Sequence, residues 1–358
     1  MRKICILHEQ ADWDGGLIAE LERHGFECTR WSLCDLHISL LRPPAQHVVY
    51  LNRFSPSGYW RNRGSSSGSA HSVVTWLEAH GCTVINGHRA LQLEVSKVAQ
   101  ALACKSVGLR GPYTEVVVGR DALLRAAKAW GQSISRSTSP VLIKPNCGGS
   151  GHGIRRYDNS SSLVAAMETD QEWDLSPDGV MLLQQYIPSE YVHRLEFVGG
   201  KFLYAVLIRT SSSFNHCPCE NSTDESCAVE VAPAFSISPE FPSTEGEGML
   251  VQALERMLRS FTVDIAGIEL VRDSRQRWWV IDCNCCNTNY NRRAEVRAKV
   301  GMGGNTAIAR WLQAADAAPA AATAVPPSPP PDRHSDTPPA SAETDEQRHP
   351  ESCTPDSS

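Results

Sequence analysis

Glu269, Asp282 and Asn284 are the residues whose types and spacing could do the most chemistry in this sequence. They lie in two apolar runs, 265–273 and 278–284, that flank the polar segment Ser274-Arg275-Gln276-Arg277, the pattern of a β-hairpin. If those four residues form the loop and Asp273 faces Trp278, counting back sets Arg272 against Trp279, Val271 against Val280, Leu270 against Ile281 and Glu269 against Asp282. Asn284 is two residues beyond Asp282 and so shares its face. Two carboxylates and an amide oxygen form a hard-oxygen set suited to Mg²⁺, or Mn²⁺, bridging phosphates. A pair of solvated surface acids is the other reading. Directly opposed like charges destabilise a sheet, so a cation between them explains the pattern better.

A second chemical segment is Lys144-Pro-Asn-Cys-Gly148-Gly149-Ser150-Gly151-His-Gly153, preceded by the apolar run Val141-Leu142-Ile143. A buried strand would deliver a lysine and then a loop of four glycines and a serine. Glycines let the backbone approach a phosphate and turn several N–H groups into one concavity. The order differs from a P-loop, where the lysine follows the glycines, and from the G-x-G-x-x-G spacing of a dinucleotide site. Alone, the loop reads equally well as an ordinary glycine turn.

Taken together, the segments resemble the ATP-grasp enzymes, nearest the RimK-type and glutathione-synthetase-like carboxylate–amine ligases, from Met1 to about Leu312. The resemblance implies an ATP-grasp fold, α/β overall and α+β in the ATP lobes, with ATP and Mg²⁺ (or Mn²⁺) as cofactors. It implies that Lys97 and Lys144 are the two phosphate-binding lysines and that Gly148, Gly149, Ser150, Gly151 and Gly153 cover the phosphates. Gln184, Gln185, Tyr186 and Ile187 correspond to the adenine-binding linker, Glu190 to a ribose contact, and Glu269, Asp282 and Asn284 to the metal triad. Arg194 and Arg209 would be the catalytic arginines that meet the transferred group. The sequence departs from the family at Gln185, usually acidic, and after Asn284, where Cys285-Cys286-Asn287 stands in place of a Ser-Pro-Gly turn. The activity implied is an ATP-dependent ligation of a carboxylate to an amine through an acyl-phosphate. Small-molecule or peptide carboxylates and amines would be its partners, and a homo-oligomer is compatible with it. A nucleotide-binding module without turnover and a small-molecule kinase remain the alternatives on the same fold.

The elements that must position these residues follow from composition and pattern. At 358 residues and 41% apolar, the chain can form more than one core. A formal charge of −6 gives no reason to expect nucleic acid or an anionic membrane as partner. The N-terminal apolar run reads as a first strand rather than a signal peptide, and no run is long enough to span a membrane. Thirteen scattered cysteines fit a reducing, cytoplasmic setting. Residues 1–90 are expected to form an α/β lobe that precedes the ATP-binding lobes. Within it, strands are expected over 3–8, 48–51 and 83–86 and a helix over 16–24, with Arg53 and the polar loop 55–63 after a strand end, where such sheets bind ligands. Residues 91–180 form the small ATP lobe, with a helix over 94–107 that carries Lys97 in its first turns and stops at Gly108. Residues 181–313 form the lobe with the metal triad, including a hairpin turning at Gly199-Gly200 and a helix over 249–261. Residues 314–358, rich in Ala, Pro and small polar residues, are expected to be a disordered tail. Cys217, Cys219 and Cys227 lack the paired spacing of structural zinc sites, and a lid with free thiols is the favoured reading there.

Overall fold

The computed structural model describes residues 2–10, 15–61, 66–132, 138–169, 176–210, 235–286 and 301–317. The N-terminal lobe is a parallel sheet of order β2-β1-β3-β4, from β1 (Lys3–His8), β2 (Glu27–Ser32), β3 (Val48–Asn52) and β4 (Thr83–Ile85). Its central strands carry continuous apolar runs, Ile4–Leu7 and Val48–Leu51, as strands covered on both faces do. The polar edge strand β2 pairs only with β1, so it carries little apolar signal and is not legible in the sequence. Helix α1 (Gly15–Arg23) ends at Gly25, whose φ of 83° suits a residue without a side chain. Helix α2 (Ser66–Ala79) leads back to β4.

Two short helices follow, α3 (His88–Glu94) and α4 (Lys97–Ser106), where the sequence suggests one over 94–107. The break is local chemistry. Ser96 adopts an extended backbone and its side chain accepts from the Ala99 N–H, so it caps a new helix rather than continuing the old one. Asn146 Oδ1 takes the Val98 N–H at 2.9 Å and locks that start in place. Gly108, with φ of 80°, follows the end of α4.

The middle sheet has order β5-β8-β6-β7, all antiparallel, from β5 (Thr114–Val118), β6 (Val141–Pro145), β7 (Arg155–Tyr157) and β8 (Val180–Gln185). Helices α5 (Arg120–Gly131) and α6 (Ser160–Thr169) cover it through Leu123, Trp130, Leu163 and Met167. Because β8 completes this sheet, the lobe boundary expected at 180/181 falls inside it, and the chain leaves the sheet only after Gln185.

The large sheet has order β11-β10-β9-β12-β13 and is antiparallel, from β9 (Tyr191–Val198), β10 (Lys201–Arg209), β11 (Phe235–Ser238), β12 (Ile265–Arg272) and β13 (Trp278–Asn284). One face packs on α4 and on α7 (Glu245–Ser260), whose Leu250, Leu254, Met257 and Leu258 are buried. Strands β9 and β10 join at Gly199-Gly200, both at positive φ, as a tight hairpin requires. The last helix, α8 (Gly304–Ala317), packs Ile308 and Leu312 with Leu17 and Leu21 of α1, and runs past residue 313, where the sequence suggests the tail begins. The residues from Met1 to Ala317 form one compact unit, and residues 318–358 lie outside the described residues. Among the described residues, no helix is long and apolar enough to cross a membrane.

Candidate active site

Three adjacent strands of the large sheet bring the polar residues together. In register, Arg194 of β9 faces Glu269 of β12, which faces Asp282 of β13. The next row on that face is Glu196, Gly267 and Asn284. The opposition of Glu269 and Asp282 matches the expectation from counting back along the hairpin, but the route to it differs. Near the turn Arg272 faces Trp278, Val271 faces Trp279 and Leu270 faces Val280, one residue off the expected register. A bulge at Ile281 restores it at Glu269. Asp273 causes the offset by staying in the turn, where its carboxylate accepts from the N–H groups of Arg275 and Arg277 and from the Trp279 indole.

Two lysines reach this face from other elements. Lys97 is the first residue of α4, and its Nζ lies 2.9 Å from Asp282 Oδ1 and 3.3 Å from the Gly148 carbonyl. Lys144 on β6 donates to the Ile281 carbonyl at 2.8 Å and lies 3.9 Å from Asp282 Oδ1. Arg194, its side chain 2% exposed, places Nη1 2.8 Å from Glu269 and Nε 2.8 Å from Glu196. Three cations thus lie against three carboxylates. Burial penalises the Asp282 charge, but Lys97 and Lys144 outweigh that and hold its pKa down at about 2. Burial likewise works against the Lys97 charge, yet Asp282 prevails and raises its pKa, whereas for Lys144 burial wins and lowers it.

Two acids in this cluster are not legible as site residues in the sequence. Glu196 is fully buried, and its spacing of two from Arg194 on a strand was the one available signal. Glu94 ends α3, is 4% exposed, and accepts from the Cys285 N–H. Burial pushes its pKa up to about 7, and Asp282 adds to the rise. Gly267 is the third such residue. A Cβ there would stand 2.0 Å from Arg194 Nη2, so the glycine makes the space that the guanidinium fills.

The same face of the sheet is apolar toward its other end. Ile187, Val192, Val206, Ile208 and Val271 form one buried cluster, with Trp279 and Ile281 beside it. The linker segment borders this cluster: the Gln184 side chain donates to Thr114 Oγ1 at 2.8 Å, the Gln185 N–H donates to the Tyr113 carbonyl, and Arg156 lies over the Tyr186 ring. Arg209 is not brought to the acids. It lies three residues from Val206, the partner of Arg194, so alternation turns it to the other face of β10. There it is 66% exposed, 3.5 Å from Glu190 and over the Tyr191 ring. Glu190 likewise sits at the surface, in that pair.

The glycine loop joins β6 to β7. Ser150, Gly151 and Gly153 have positive φ, and Gly148 and Gly149 lie against a 3-10 turn, Pro56–Arg61, of the N-terminal lobe. A Cβ on Gly149 would meet Ser57 at 3.1 Å, and Trp60 stacks on His152 with ring centroids 6.0 Å apart. Arg53, at the end of β3, is buried and donates to the Cys286 carbonyl at 3.2 Å. Cys283, Cys285 and Cys286 are buried with thiol pKa values raised well above the ordinary range, chiefly by burial for Cys285 and Cys286 and by the Cys104 contact for Cys283. That makes them poor nucleophiles. Cys217, Cys219 and Cys227 lie outside the described residues.

In residue type, the donor set is one that a divalent metal takes. Glu269, Asp282 and Asn284 offer oxygens from one face, and cationic side chains already stand where the acids need positive charge. Among the described residues, no cluster of three His, Cys, Asp or Glu side chains that could hold a metal ion occurs.

No family model matches the chain. It is 24% identical over 210 residues to the 2-oxoglutarate carboxylase small subunit of Hydrogenobacter thermophilus, covering 58% of this chain and 41% of that protein. It is 29% identical over 143 residues to the tetrahydromethanopterin:alpha-L-glutamate ligase of Methanosarcina acetivorans, covering 37% of this chain and 41% of that one. The chain therefore spans less than half the length of these curated relatives. Among solved structures, D-cycloserine synthetase DcsG aligns with 87% of this chain and 99% of its own, with a TM-score of 0.61 and 15% identity. A RimK domain ATP-grasp protein from Sphaerobacter thermophilus aligns over the same shares with a TM-score of 0.57 and 16% identity.

Proposed function

We propose that this chain, whose fold is the ATP-grasp fold, is an ATP-dependent ligase that joins a carboxylate to an amine. The observation that carries the reading is the division of one sheet face. Rows of acids and cations lie at one end, and a buried apolar cluster of Ile187, Val192, Val206 and Val271 lies at the other. A nucleoside triphosphate has that polarity, a flat base at one end and phosphates at the other. The names of the relatives support the class of reaction, since two of those reported are a glutamate ligase and a synthetase.

In this reading Lys97, Lys144 and the backbone of Gly148–Gly153 hold the phosphates, and Gln184–Ile187 border the base. Glu269, Asp282 and Asn284 would hold Mg²⁺ or Mn²⁺, which when bound neutralises phosphate oxygens. Arg194, pinned by Glu196, offers its guanidinium to the charge that develops on the transferred phosphoryl group. The carboxylate attacks the γ-phosphorus, ADP leaves, and the amine displaces phosphate from the acyl-phosphate. The chain needs no nucleophile of its own, in keeping with the buried, protonated thiols of Cys283, Cys285 and Cys286. Arg53, at a strand end of the parallel sheet and beside Cys286, is our candidate for the substrate carboxylate. Arg209 and Glu190, paired at the surface, would contribute only if the lobes close on substrate.

The test is an ADP and phosphate release assay with pooled carboxylates and amines, followed by mass analysis of products. Equal release of ADP and inorganic phosphate, dependent on both pools, supports the ligase. ADP without free phosphate would point to a kinase, and nucleotide binding without turnover to a binding module.

A further inference from the structure

We infer that the free protein closes its own metal site with internal cations, so that a divalent metal enters only after nucleotide has drawn those cations away, and that Arg194 is the positioning residue that sets this order. The inference rests on the nucleotide reading above for its second half alone. The first half stands on geometry. Glu269 Oε1 is held by Arg194 Nη1 at 2.8 Å, and Asp282 Oδ1 by Lys97 Nζ at 2.9 Å, with Lys144 at 3.9 Å. Both charged members of the triad are therefore already neutralised. A divalent ion added to this arrangement would stand beside three cations in a largely buried site, where repulsion is strong.

The arginine is built in rather than adventitious. Its side chain is 2% exposed, Glu196 beneath it is fully buried, and Gly267 lacks the Cβ that would occupy its place. The fork of the guanidinium divides the work. Nε stays on Glu196 while Nη1 holds Glu269, a geometry that a lysine could not reproduce. A polyphosphate arriving from the glycine-loop side offers Nη1, Lys97 and Lys144 a new anion. The two carboxylates released are then free for the metal. Linkage requires the converse, that metal raises nucleotide affinity by the same factor.

Mn²⁺ serves as the probe, titrated into the nucleotide-free protein and followed by the resonance signal of the free ion. Wild type is expected to take up no stoichiometric Mn²⁺. Arg194→Gln, which frees Glu269, is expected to gain Mn²⁺ affinity without nucleotide by a factor within the roughly five- to 150-fold range usual for coupled sites. That gain should vanish in Arg194→Gln/Asp282→Asn. A merely structural arginine would give no gain at all. Should Arg194→Gln fail to fold, Lys97→Gln removes the cation nearest Asp282, leaves Lys144 at 3.9 Å, and is expected to give a smaller gain of the same kind. Stoichiometric Mn²⁺ in nucleotide-free wild type, lost in Asp282→Asn, overturns the inference, as does the absence of any gain in the variant that folds. ADP is the second probe, corrected for Mn²⁺ that ADP holds in solution. In wild type it should create the Mn²⁺ site. If ADP does not bind at all, the nucleotide reading fails and with it the proposed trigger. A gain in Arg194→Gln would still establish the closed metal site.

Discussion

Asp282 carries more than one duty in this chain. Sequence pattern sets it opposite Glu269 and suggests that losing either acid would relieve repulsion. The structure reverses the sign of that expectation, because Asp282 is the anion that both buried lysines share. Asp282→Ala should therefore lower the melting temperature of the nucleotide-free protein. Removing one partner of a buried pair costs about 3–5 kcal/mol. ADP formation should fall as well, by roughly a hundred- to thousandfold, the usual cost of losing one electrostatic contact to a transition state. A variant with unchanged melting temperature would mean that the lysines find other partners. Glu94 gives a pH signature. Its pKa is raised by burial to about 7, so the folded state binds a proton more tightly than the unfolded state. Stability is then highest below the unfolded pKa and declines as pH rises from about 4.5 toward 7, after which this contribution is flat. Glu94→Gln keeps an acceptor for the Cys285 N–H and has no proton to lose. It should remove that decline and stabilise the protein above pH 7 by on the order of 3 kcal/mol. Denaturant melts of both proteins across this range decide the point, and parallel pH curves would remove Glu94 from the account.

At the scale of elements, the strands and turns with strong local signals form where their residues dictate. The apolar runs of β1 and β3, the paired glycines between β9 and β10, and the apolar stripe of α7 are examples. Those glycines separate a conformational demand from a packing one. Both have positive φ, but a Cβ on Gly199 would meet the Trp311 ring at 2.6 Å, whereas one on Gly200 finds only the Val263 carbonyl at 3.4 Å. Asn tolerates this backbone. Gly200→Asn should thus leave stability within about 0.5 kcal/mol of wild type. Gly199→Asn should cost about 1–3 kcal/mol by forcing Trp311 and α8 to shift. Equal effects in thermal melts would show that packing on α8 plays no part. Elements that depend on distant partners are different. The split between α3 and α4 turns on Asn146, fifty residues away, which caps α4 from the side. The bulge that sets Glu269 against Asp282 depends on Asp273 holding the turn.

At the scale of the whole molecule, the compact unit ends at Ala317, so a chain truncated after that residue should melt at the same temperature as the full chain and bind nucleotide as well. A cut after Leu312 should be worse, because α8 continues to Ala317 and its apolar face lies on α1. A large loss from the first truncation would mean that residues 318–358 contribute to the fold. Residues 1–317 form one compact unit with three sheets, and helices and strands join segments that the sequence reading assigns to different lobes. Helix α8 packs on the N-terminal sheet, α4 on the large sheet, and β8 completes the middle one. What the sequence determined by itself is which residues are candidates, Glu269, Asp282, Asn284 and the two lysines, and the local patterns that make their strands. Those follow from residue type, alternation and short-range turn rules, all of which act within about a dozen residues of chain. What only tertiary structure decided is which charges meet. Lys97 and Asp282 are 185 residues apart, and Arg194 and Glu269 are 75 apart. Whether two such groups neutralise each other depends on strand order, burial and the space left by Gly267, and no local pattern encodes those.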